Sequence, residues 1–372
     1  MKNSVLKSII IVLLSITMIA AIAIGFSGCT GASNEPEVFN DGVLSYRLSD
    51  DKTYYIVVGV VNDSVTDLVI PDTYNNIPIK SIGKDAFDSC RSLKSITIPN
   101  CITNIYASFF WCKSLNSVYI TDIAAWCNVS FATSGSNPLE YADNLYLNGE
   151  FVKELVIPNG VTSIGAYAFS GYSSLASVTI PDSVKSIGFN AFDGCISMKS
   201  VYITDIAAWC NITFDNGWAN PLRYADDLYI DEKLVNELVI PNSVTSIGAY
   251  AFYNYQIAKV TIGNGVKSIG YAAFANCNGL TSVIIPASVT TIGDSAFRYC
   301  RGLKSVDIEN SKTCIGEYVF NDCNSLTSLK FNGTVEQWNL VQKGKSWDPI
   351  ISSFTIYCTD GKIANNGTVT YY

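Results

Sequence analysis

Residues 268–286 read SIGYAAFANCNGLTSVIIP, and variants of this phrase recur along the chain. Eight phenylalanines mark the copies, 22 or 23 residues apart wherever nothing intervenes: Phe87, Phe109, Phe169, Phe192, Phe252, Phe274, Phe297 and Phe320. A short fixed period of this kind is typical of a solenoid, in which each turn buries its apolar face against the next. The repeat therefore predicts the fold class.

The apolar spacing changes inside each copy. Val283 and Ile285 alternate with outward positions at period two, which predicts a short strand, and Pro286 ends that strand because proline cannot donate to a ladder. Apolar residues at spacing three, from Phe274 to Leu280, predict a helical or 3₁₀ arc that faces inward. Stacking places like residues over like, so we expect a buried column of phenylalanines.

The phrase resembles the BspA-like leucine-rich repeats of bacterial surface antigens, from about residue 38 to the end. A glycine, an Ala-Phe pair, a cysteine, a leucine and a proline recur together at fixed offsets. The resemblance implies an α/β leucine-rich-repeat solenoid, right-handed and curved, with one short parallel strand per turn. We expect about eleven strands, centred near Leu68, Ile96, Val118, Leu155, Val178, Val201, Leu238, Val260, Val283, Val306 and Leu329.

A second repeat lies inside the first. Residues 117–128 read SVYITDIAAWCN and recur letter for letter as residues 200–211. Both copies lead to strand-like pieces that begin at Leu145 and Leu228, which we interpret as half of a small hairpin on the flank of the solenoid. The pattern predicts two inserted modules, at about 121–153 and 204–236.

The two ends of the repeat region predict caps. A weaker third copy of the module spans residues 333–372 and is interpreted as a carboxy-terminal cap that covers the last apolar face. Tyrosine-rich segments within residues 38–80 predict an amino-terminal hairpin cap. The repeat region itself then covers residues 81–332.

The first 28 residues have the pattern of an export signal: a basic start, an apolar run from Ile9 to Ile24 and small residues before Cys29. This end resembles the lipobox of bacterial lipoproteins, which implies that Cys29 is diacylated and that residues 29–37 form a tether. An uncleaved membrane anchor and plain secretion are the alternatives. All three place the repeats outside the cytoplasm, and lipidation predicts an anchor in the cell envelope.

Composition excludes several classes of partner and chemistry. The chain carries 24 Lys and Arg against 32 Asp and Glu, a net charge of −8 that repels a phosphate backbone, so we expect no nucleic acid partner. Histidine is absent and no Cys-x-x-Cys pair occurs, which argues against a metal site and against Ser-His or Cys-His nucleophiles. Nothing matches a phosphate-binding glycine loop. We therefore predict a protein that is not an enzyme and has no cofactor.

Asp122 and Asp205 are the best candidates for acid–base chemistry because they recur at matching places in the two modules. Their simpler interpretation is an N-cap for the Ile-Ala-Ala-Trp helix that follows each of them. A surface glycan hydrolase remains the enzymatic alternative.

Twelve cysteines in an exported chain raise the question of disulfides. Their positions favour buried thiols, because other turns place Tyr172 and Tyr255 in the same slot. Six cysteines lie three residues after a marker phenylalanine: Cys90, Cys112, Cys195, Cys277, Cys300 and Cys323. Disulfides stay open as the alternative.

The outward positions of the strands form a candidate binding face on which small hydroxyl side chains dominate. A broad, weakly charged face suits contact with an extended protein or glycan more than capture of a small molecule. Tyr119 and Tyr202 are the expected aromatic residues on it. The candidate residues are Ser95, Thr97, Tyr119, Thr179, Tyr202, Thr261, Ile284 and Asp307.

The sequence thus predicts a cell-surface recognition protein with an extracellular protein or glycan partner. The resemblance implies an adhesin, a step that rests on analogy since fold does not fix function. The alternative is a structural envelope protein whose repeats only space or cover the surface. The pattern makes no prediction of oligomeric state.

Overall fold

The computed structural model describes residues 37–349 and 351–372, and the export signal and Cys29 lie outside these residues. In the described part, none of the helices is both long and apolar enough to cross a membrane. The first six strands are β1 (Val38–Asn40), β2 (Leu44–Leu48), β3 (Tyr55–Val60), β4 (Asp67–Val69), β5 (Thr73–Tyr74) and β6 (Ile77–Ile82).

The first module and its neighbours follow. Their elements are β7 (Ser95–Thr97), β8 (Asn104–Ile105), β9 (Ser117–Ile120), α1 (Ile123–Cys127), β10 (Ser130–Phe131), 3₁₀ helices over Ser134–Ser136 and Pro138–Glu140, β11 (Asn144–Leu147) and β12 (Glu150–Phe151).

After two coils of the solenoid without an insertion, the second module has the same order of elements with one 3₁₀ helix instead of two. The elements are β13 (Glu154–Val156), β14 (Ser163–Ile164), β15 (Ser177–Ile180), β16 (Ser186–Ile187), β17 (Ser200–Ile203), α2 (Ile206–Cys210), β18 (Thr213–Phe214), a 3₁₀ helix over Pro221–Arg223, β19 (Asp227–Ile230) and β20 (Lys233–Leu234).

The carboxy-terminal coils are the most regular. Their elements are β21 (Leu238–Ile240), β22 (Ser246–Ile247), β23 (Val260–Ile262), β24 (Ser268–Ile269), β25 (Ser282–Ile285), β26 (Thr291–Ile292), β27 (Ser305–Ile308), β28 (Cys314–Ile315), β29 (Ser328–Phe331), α3 (Val335–Leu340), β30 (Thr355–Tyr357), β31 (Gly361–Ala364) and β32 (Val369–Tyr371).

These strands form two parallel ladders. The first ladder stacks the longer strands in four blocks, β4-β7-β9-β11, β13-β15-β17-β19, β21-β23 and β25-β27-β29-β30. The second ladder consists, apart from β6, of strands two residues long, in three blocks, β6-β8-β10, β14-β16-β18 and β22-β24-β26-β28. The predicted solenoid of stacked parallel strands is confirmed. Its handedness and curvature stay predictions.

The two ends extend different ladders. At the amino terminus β1, β2 and β3 form an antiparallel meander, and β3 pairs in parallel with β6 of the second ladder. At the carboxy terminus β30, β31 and β32 form an antiparallel extension of the first ladder. Each extension covers one ladder only, so β4 keeps β7 as its single strand partner in the described residues.

The expected count of about eleven strands is not confirmed, because three module strands also join the first ladder. Leu145 pairs with Val118 in β9, and Leu228 pairs with Val201 in β17, both in parallel register. β30 joins β29 in the same way. Each added strand also begins an antiparallel hairpin. The segments at Leu145 and Leu228 are therefore both half of a hairpin, as the sequence predicted, and strands of the first ladder.

The α/β character is not confirmed either. The arc after each marker phenylalanine consists of separate turns, such as the bonds from the Cys277 N–H to the Phe274 carbonyl (3.3 Å) and from the Leu280 N–H to the Cys277 carbonyl (3.1 Å). Ala272 and Asn276 have φ angles of 49° and 67°, so left-handed residues interrupt any continuous helix. The α-helices of the described residues, α1, α2 and α3, are short and lie in the modules and the carboxy-terminal segment.

The core contains the expected phenylalanine column, whose ring contacts fall into three groups. Phe274 lies between Phe252 and Phe297, with ring centroids 5.2 and 5.3 Å away and interplanar angles of 14° and 4°. All eight marker phenylalanines are fully buried. Gly270 lies where successive coils touch, since a Cβ there would be 2.7 Å from the backbone nitrogen of Ala249. Glycine is required at this position by the close approach of two backbones.

Candidate binding face

The outward surface of the first ladder, here called the strand face, carries all eight predicted site residues. Ser95 lies in one outward row, and the other seven lie in a second row two positions further along their strands. Breaks after β11, β19 and β23 divide that second row among the four blocks, so Tyr119 and Tyr202 belong to different blocks.

Two stacked pairs of half-buried tyrosines lie on the strand face. Tyr119 stacks on Tyr146 with ring centroids 4.7 Å apart and an interplanar angle of 15°, and Tyr202 stacks on Tyr229 with the same distance and angle. Each pair forms because the module strand enters the ladder in register with the strand before it. The rings hold each other in place, so little side-chain entropy is left to lose when a partner binds.

Tyr146 and Tyr229 were missed by the sequence reasoning, which expected only Tyr119 and Tyr202 as aromatic residues on this face. The signal was present: a Leu-Tyr step follows both copies of the module at the same distance from the preceding strand. The sequence interpretation placed that step in a hairpin on the flank of the solenoid, whereas it lies in a strand of the first ladder.

The residues around each tyrosine pair also repeat. A threonine and an exposed valine precede the pair in the ladder, and the hairpin strand adds Phe151 or Leu234, each 44% exposed. We call these sets the two aromatic rows: Val69, Thr97, Tyr119, Tyr146 and Phe151 in the first, and Val156, Thr179, Tyr202, Tyr229 and Leu234 in the second. At a strand spacing of about 4.8 Å, each row extends over about 19 Å.

The remaining two blocks are more polar. Lys259 lies 2.8 Å from Glu237, and the Thr261 hydroxyl donates to the same carboxylate at 3.0 Å. Those two bonds hold the pKa of Glu237 below its usual range. Lys330 pairs with Asp307 across neighbouring strands at 3.2 Å. The charges of these blocks therefore neutralise one another locally, and each exposed pair adds little stability.

Each module is attached to the next coil by buried hydrogen bonds from its side chains to backbone carbonyls. The Trp126 indole N–H donates to the Ala168 carbonyl at 2.7 Å, and Trp209 makes the matching bond to Ala251 at 2.8 Å. The Asn220 amide donates to the same Ala251 carbonyl at 2.9 Å. Buried polar groups shared in this way fix the angle at which the module leaves the coil.

Asp122 and Asp205 are N-caps. The Asp122 carboxylate accepts the N–H groups of Ala124 (2.7 Å) and Ala125 (3.1 Å) at the start of α1, and Asp205 does the same for α2. The cap interpretation is confirmed, and both carboxylates serve their own helices. Among residues 37–349 and 351–372, no group of three Cys, Asp or Glu side chains is placed to hold a metal ion.

The cysteines of the described residues are free, and five of the six in the repeat slot form a thiol ladder. In each of five coils the thiol donates to the carbonyl of the marker phenylalanine one coil earlier. These bonds are Cys112 to Phe87 (3.0 Å), Cys195 to Phe169 (3.3 Å), Cys277 to Phe252 (3.2 Å), Cys300 to Phe274 (3.1 Å) and Cys323 to Phe297 (3.1 Å). The buried-thiol interpretation is the one that the geometry supports.

Several solved structures are similar to this chain. The pneumococcal vaccine antigen PcpA is 18% identical with a TM-score of 0.52, and the match covers 87% of this chain and 94% of that one. This likeness shows a common fold. A leucine-rich cell surface protein from Faecalibacterium prausnitzii is 23% identical over 84% of this chain and 99% of its own, with a TM-score of 0.43. A leucine-rich repeat protein from Eubacterium ventriosum is 19% identical over 83% of each chain, with a TM-score of 0.44.

The sequence also matches a family model. No curated protein matches the chain. The model for the BspA type leucine-rich repeat region matches residues 62–146, 139–217 and 226–340, in six copies. These segments make up more than half of the sequence; they contain the first module and all of the second except residues 218–225. The chain therefore belongs to the BspA-type leucine-rich repeat family.

Proposed function

We propose that this protein is an exported recognition or adhesion protein that binds an extracellular protein partner through its two aromatic rows. The observation that carries the proposal is the pair of tyrosine stacks, Tyr119 with Tyr146 and Tyr202 with Tyr229, repeated in the same setting on one exposed face. Tyrosine concentrates binding energy in protein interfaces because it buries a large rigid surface and still offers a hydroxyl.

The composition of the rows favours a protein partner over a glycan at this face. Exposed aliphatic residues flank the tyrosines, with Val69 at 65% and Val156 at 60% exposure. A surface that mixes aliphatic and aromatic groups gains most from a partner that brings apolar side chains of its own. Because the two rows are alike, a partner with a repeated segment could occupy both and gain in avidity.

The test is a binding screen of the full chain against purified extracellular matrix proteins. We expect at least one saturable partner, and we expect Tyr119→Ser combined with Tyr202→Ser to weaken it at least tenfold, about 1.4 kcal/mol. Val239→Ser, an outward substitution in another block, serves as the matched control and leaves affinity unchanged.

Two outcomes would contradict the proposal. Full affinity in the double tyrosine variant would remove the aromatic rows from the interface. The absence of any saturable partner would favour a structural protein of the envelope, in which the strand face only spaces or covers the surface.

We also propose that Cys29 carries a lipid anchor, as its sequence setting suggests. Membership of the BspA-type family and the shared fold with PcpA, a pneumococcal vaccine antigen, support a place at the cell surface. Metabolic labelling with radioactive palmitate should mark the wild-type chain and not Cys29→Ser. A wild-type chain without label would overturn the anchor.

A further inference from the structure

The two modules share a framework and differ in a small set of side chains on the turn side. Residues 131–144 read FATSGSNPLEYADN, and residues 214–227 read FDNGWANPLRYADD. At matching places the second module therefore has Trp218 and Arg223 where the first has glycine and glutamate. The residue directly after the next marker phenylalanine changes as well, from Ser170 to Tyr253.

These exchanged residues contact one another. In the first module, the Ser170 hydroxyl donates to the Glu140 carboxylate. In the second, the Arg223 guanidinium lies 4.7 Å from the Trp218 ring centroid and 5.4 Å from that of Tyr253. A polar contact has thus been replaced by a cation that stacks on two aromatic rings.

The exchange creates one wall of an aromatic cleft of about 200 Å³. The cleft crosses four successive coils, and its lining comes from turns and the module loop rather than from strands of the first ladder. Its principal side chains are Trp218, Tyr250, Tyr253, Tyr271, Arg298 and Tyr299. At about 4.8 Å per coil it is roughly 15 Å long, so it suits one section of an extended ligand.

Arg298 lines the cleft, and Arg223 lies outside the lining but packs against the Trp218 and Tyr253 rings that form its wall. Arg298 lies 4.6 Å from the Tyr299 ring centroid, and its Nε donates to the Asn321 side chain at 3.1 Å. Among residues 37–349 and 351–372, neither Arg298 nor Arg223 forms an ion pair with a carboxylate. Asp294 does not line the cleft, and it accepts the backbone N–H of Glu317 at 2.7 Å.

The backbone of the cleft offers few groups to a ligand, because its N–H groups bond to the next coil. These bonds are Tyr250 to Tyr271 (2.9 Å), Ala272 to Asp294 (3.0 Å), Ser295 to Glu317 (2.8 Å) and Tyr299 to Asn321 (3.0 Å). A peptide added as an extra strand would need such groups free. Recognition must therefore come from ring faces, hydroxyls and guanidinium groups.

We propose that this cleft binds an acidic polysaccharide. The apolar C–H face of a sugar ring packs on the aromatic side chains, and its hydroxyls meet the tyrosine hydroxyls. Its carboxylate or sulfate pairs with Arg298, and Arg223 adds positive charge beside the Trp218 and Tyr253 rings. The volume lies below the range of about 300–1,000 Å³ typical of drug-sized ligands, so the cleft takes only a short section of a longer chain.

The experiment uses the full chain and four soluble polymers, with affinity measured by titration calorimetry. Hyaluronate carries carboxylates, dextran sulfate carries sulfates, dextran is neutral, and polyproline tests a peptide that needs no backbone donor. We expect saturable binding of hyaluronate or dextran sulfate and none of the other two. Which anionic polymer binds identifies the acidic group. Raising the salt from 50 to 200 mM should weaken the binding, since the charges are exposed.

The variant Trp218→Gly with Arg223→Glu and Tyr253→Ser restores the residues of the first module, which the same framework already accommodates. It should lose at least tenfold in affinity. Arg223→Gln alone removes one charge and should lower both affinity and salt dependence, which keeps the test decisive if the triple variant folds poorly. Tyr119→Ser with Tyr202→Ser should bind the polysaccharide normally, so the test of the cleft is independent of the test of the strand face.

Four results would overturn the proposal. They are no binding of either anionic polymer, equal binding of dextran, binding of polyproline in their place, and undiminished affinity in both Arg223 variants. Equal binding of dextran would make the cleft a neutral-sugar site, and binding of polyproline would make it a peptide site.

Discussion

The Sγ atom of Cys300 donates a hydrogen bond to the backbone carbonyl of Phe274, 3.1 Å away and one coil earlier in the stack. Cys323 makes the same bond to Phe297 at 3.1 Å. These two coils are therefore joined to the coils before them by a side-chain hydrogen bond as well as by strand pairing. Cysteine suits this slot because it is small and apolar and still carries a weak donor.

The buried thiols should make the protein sensitive to alkali. Burial raises the pKa of the Cys300 thiol well above its usual range, and burial raises the pKa of Cys112 to about 12. In the unfolded chain these thiols ionise near pH 8.5, so their stabilising effect is complete below that pH and falls as the pH rises towards the folded-state pKa. Each thiol should cost about 1.4 kcal/mol per pH unit in that interval.

Urea unfolding at pH 7.5, 9 and 10 measures this loss of the free energy of unfolding. Cys300→Ala has one buried thiol fewer and should show a shallower decline. A free energy that stays constant over this range would contradict the ladder of protonated thiols.

Thiol labelling should separate two classes of cysteine. In the folded protein with Cys29→Ser, Ellman's reagent should reach Cys314 and Cys101, which are partly exposed. Cys101 should react slowly, because burial, and then the charge of Asp72, raise its pKa to about 11. The remaining cysteines of the described residues are buried and should react only after denaturation. If denaturation without reductant released few new thiols, disulfides would replace the thiol ladder.

Truncating an interior ring of the phenylalanine column should be costly. Phe274→Ala removes a ring held between two others and leaves a cavity that the stacked coils cannot close, so we expect a loss of about 3–5 kcal/mol in the free energy of unfolding. Ile196→Ala is the control, since Ile196 is 73% exposed and its loss should stay within about 0.5 kcal/mol. Equal unfolding midpoints for the two variants would refute the column as a source of stability.

Substitutions of Asp205 should distinguish a helix cap from an acid–base group. Asp205→Ala removes the acceptor for the first turn of α2 and should cost about 0.5–2 kcal/mol. Asp205→Asn keeps an acceptor oxygen and should retain most of that stability. Thermal melts of both variants provide the measurement. A loss for Asn as large as that for Ala would show that the negative charge of the carboxylate, and not its acceptor oxygen alone, stabilises the start of α2.

The carboxy-terminal segment should be needed for solubility. Deleting residues 333–372 removes β30, which pairs with β29. It also removes Trp338, whose ring centroid lies 4.9 Å from that of Phe331. The exposed strand edge and apolar end should then promote aggregation. Light scattering would report it, and deletion of residues 366–372, which removes only the exposed β32, should leave a soluble protein. A soluble chain that melts cooperatively after the larger deletion would argue against a cap.

Much of the fold could be predicted because it depends on local patterns repeated in series. The alternation at Val283 and Ile285 and the recurrence of Phe274 in each copy describe one coil, and identical coils have one favourable way to stack. The eight predicted face residues lie on the strand face for the same reason. The conformation of the arcs was harder to predict. Apolar residues three positions apart occur both in a helix and in separate turns, and the left-handed residues Ala272 and Asn276 could not be recognised from that spacing.

The sequence by itself determined the solenoid, the buried column and the position of the strand face, because each follows from the period of residues along the chain. Only the tertiary structure decided that Tyr146 stacks on Tyr119, that the Cys300 thiol meets the Phe274 carbonyl, and that Arg223 lies on Trp218 and Tyr253. These contacts join residues about one coil or more apart, except for Arg223 and Trp218, which a loop brings together. Register between coils and loop geometry are set by packing in three dimensions, which a periodic pattern does not contain.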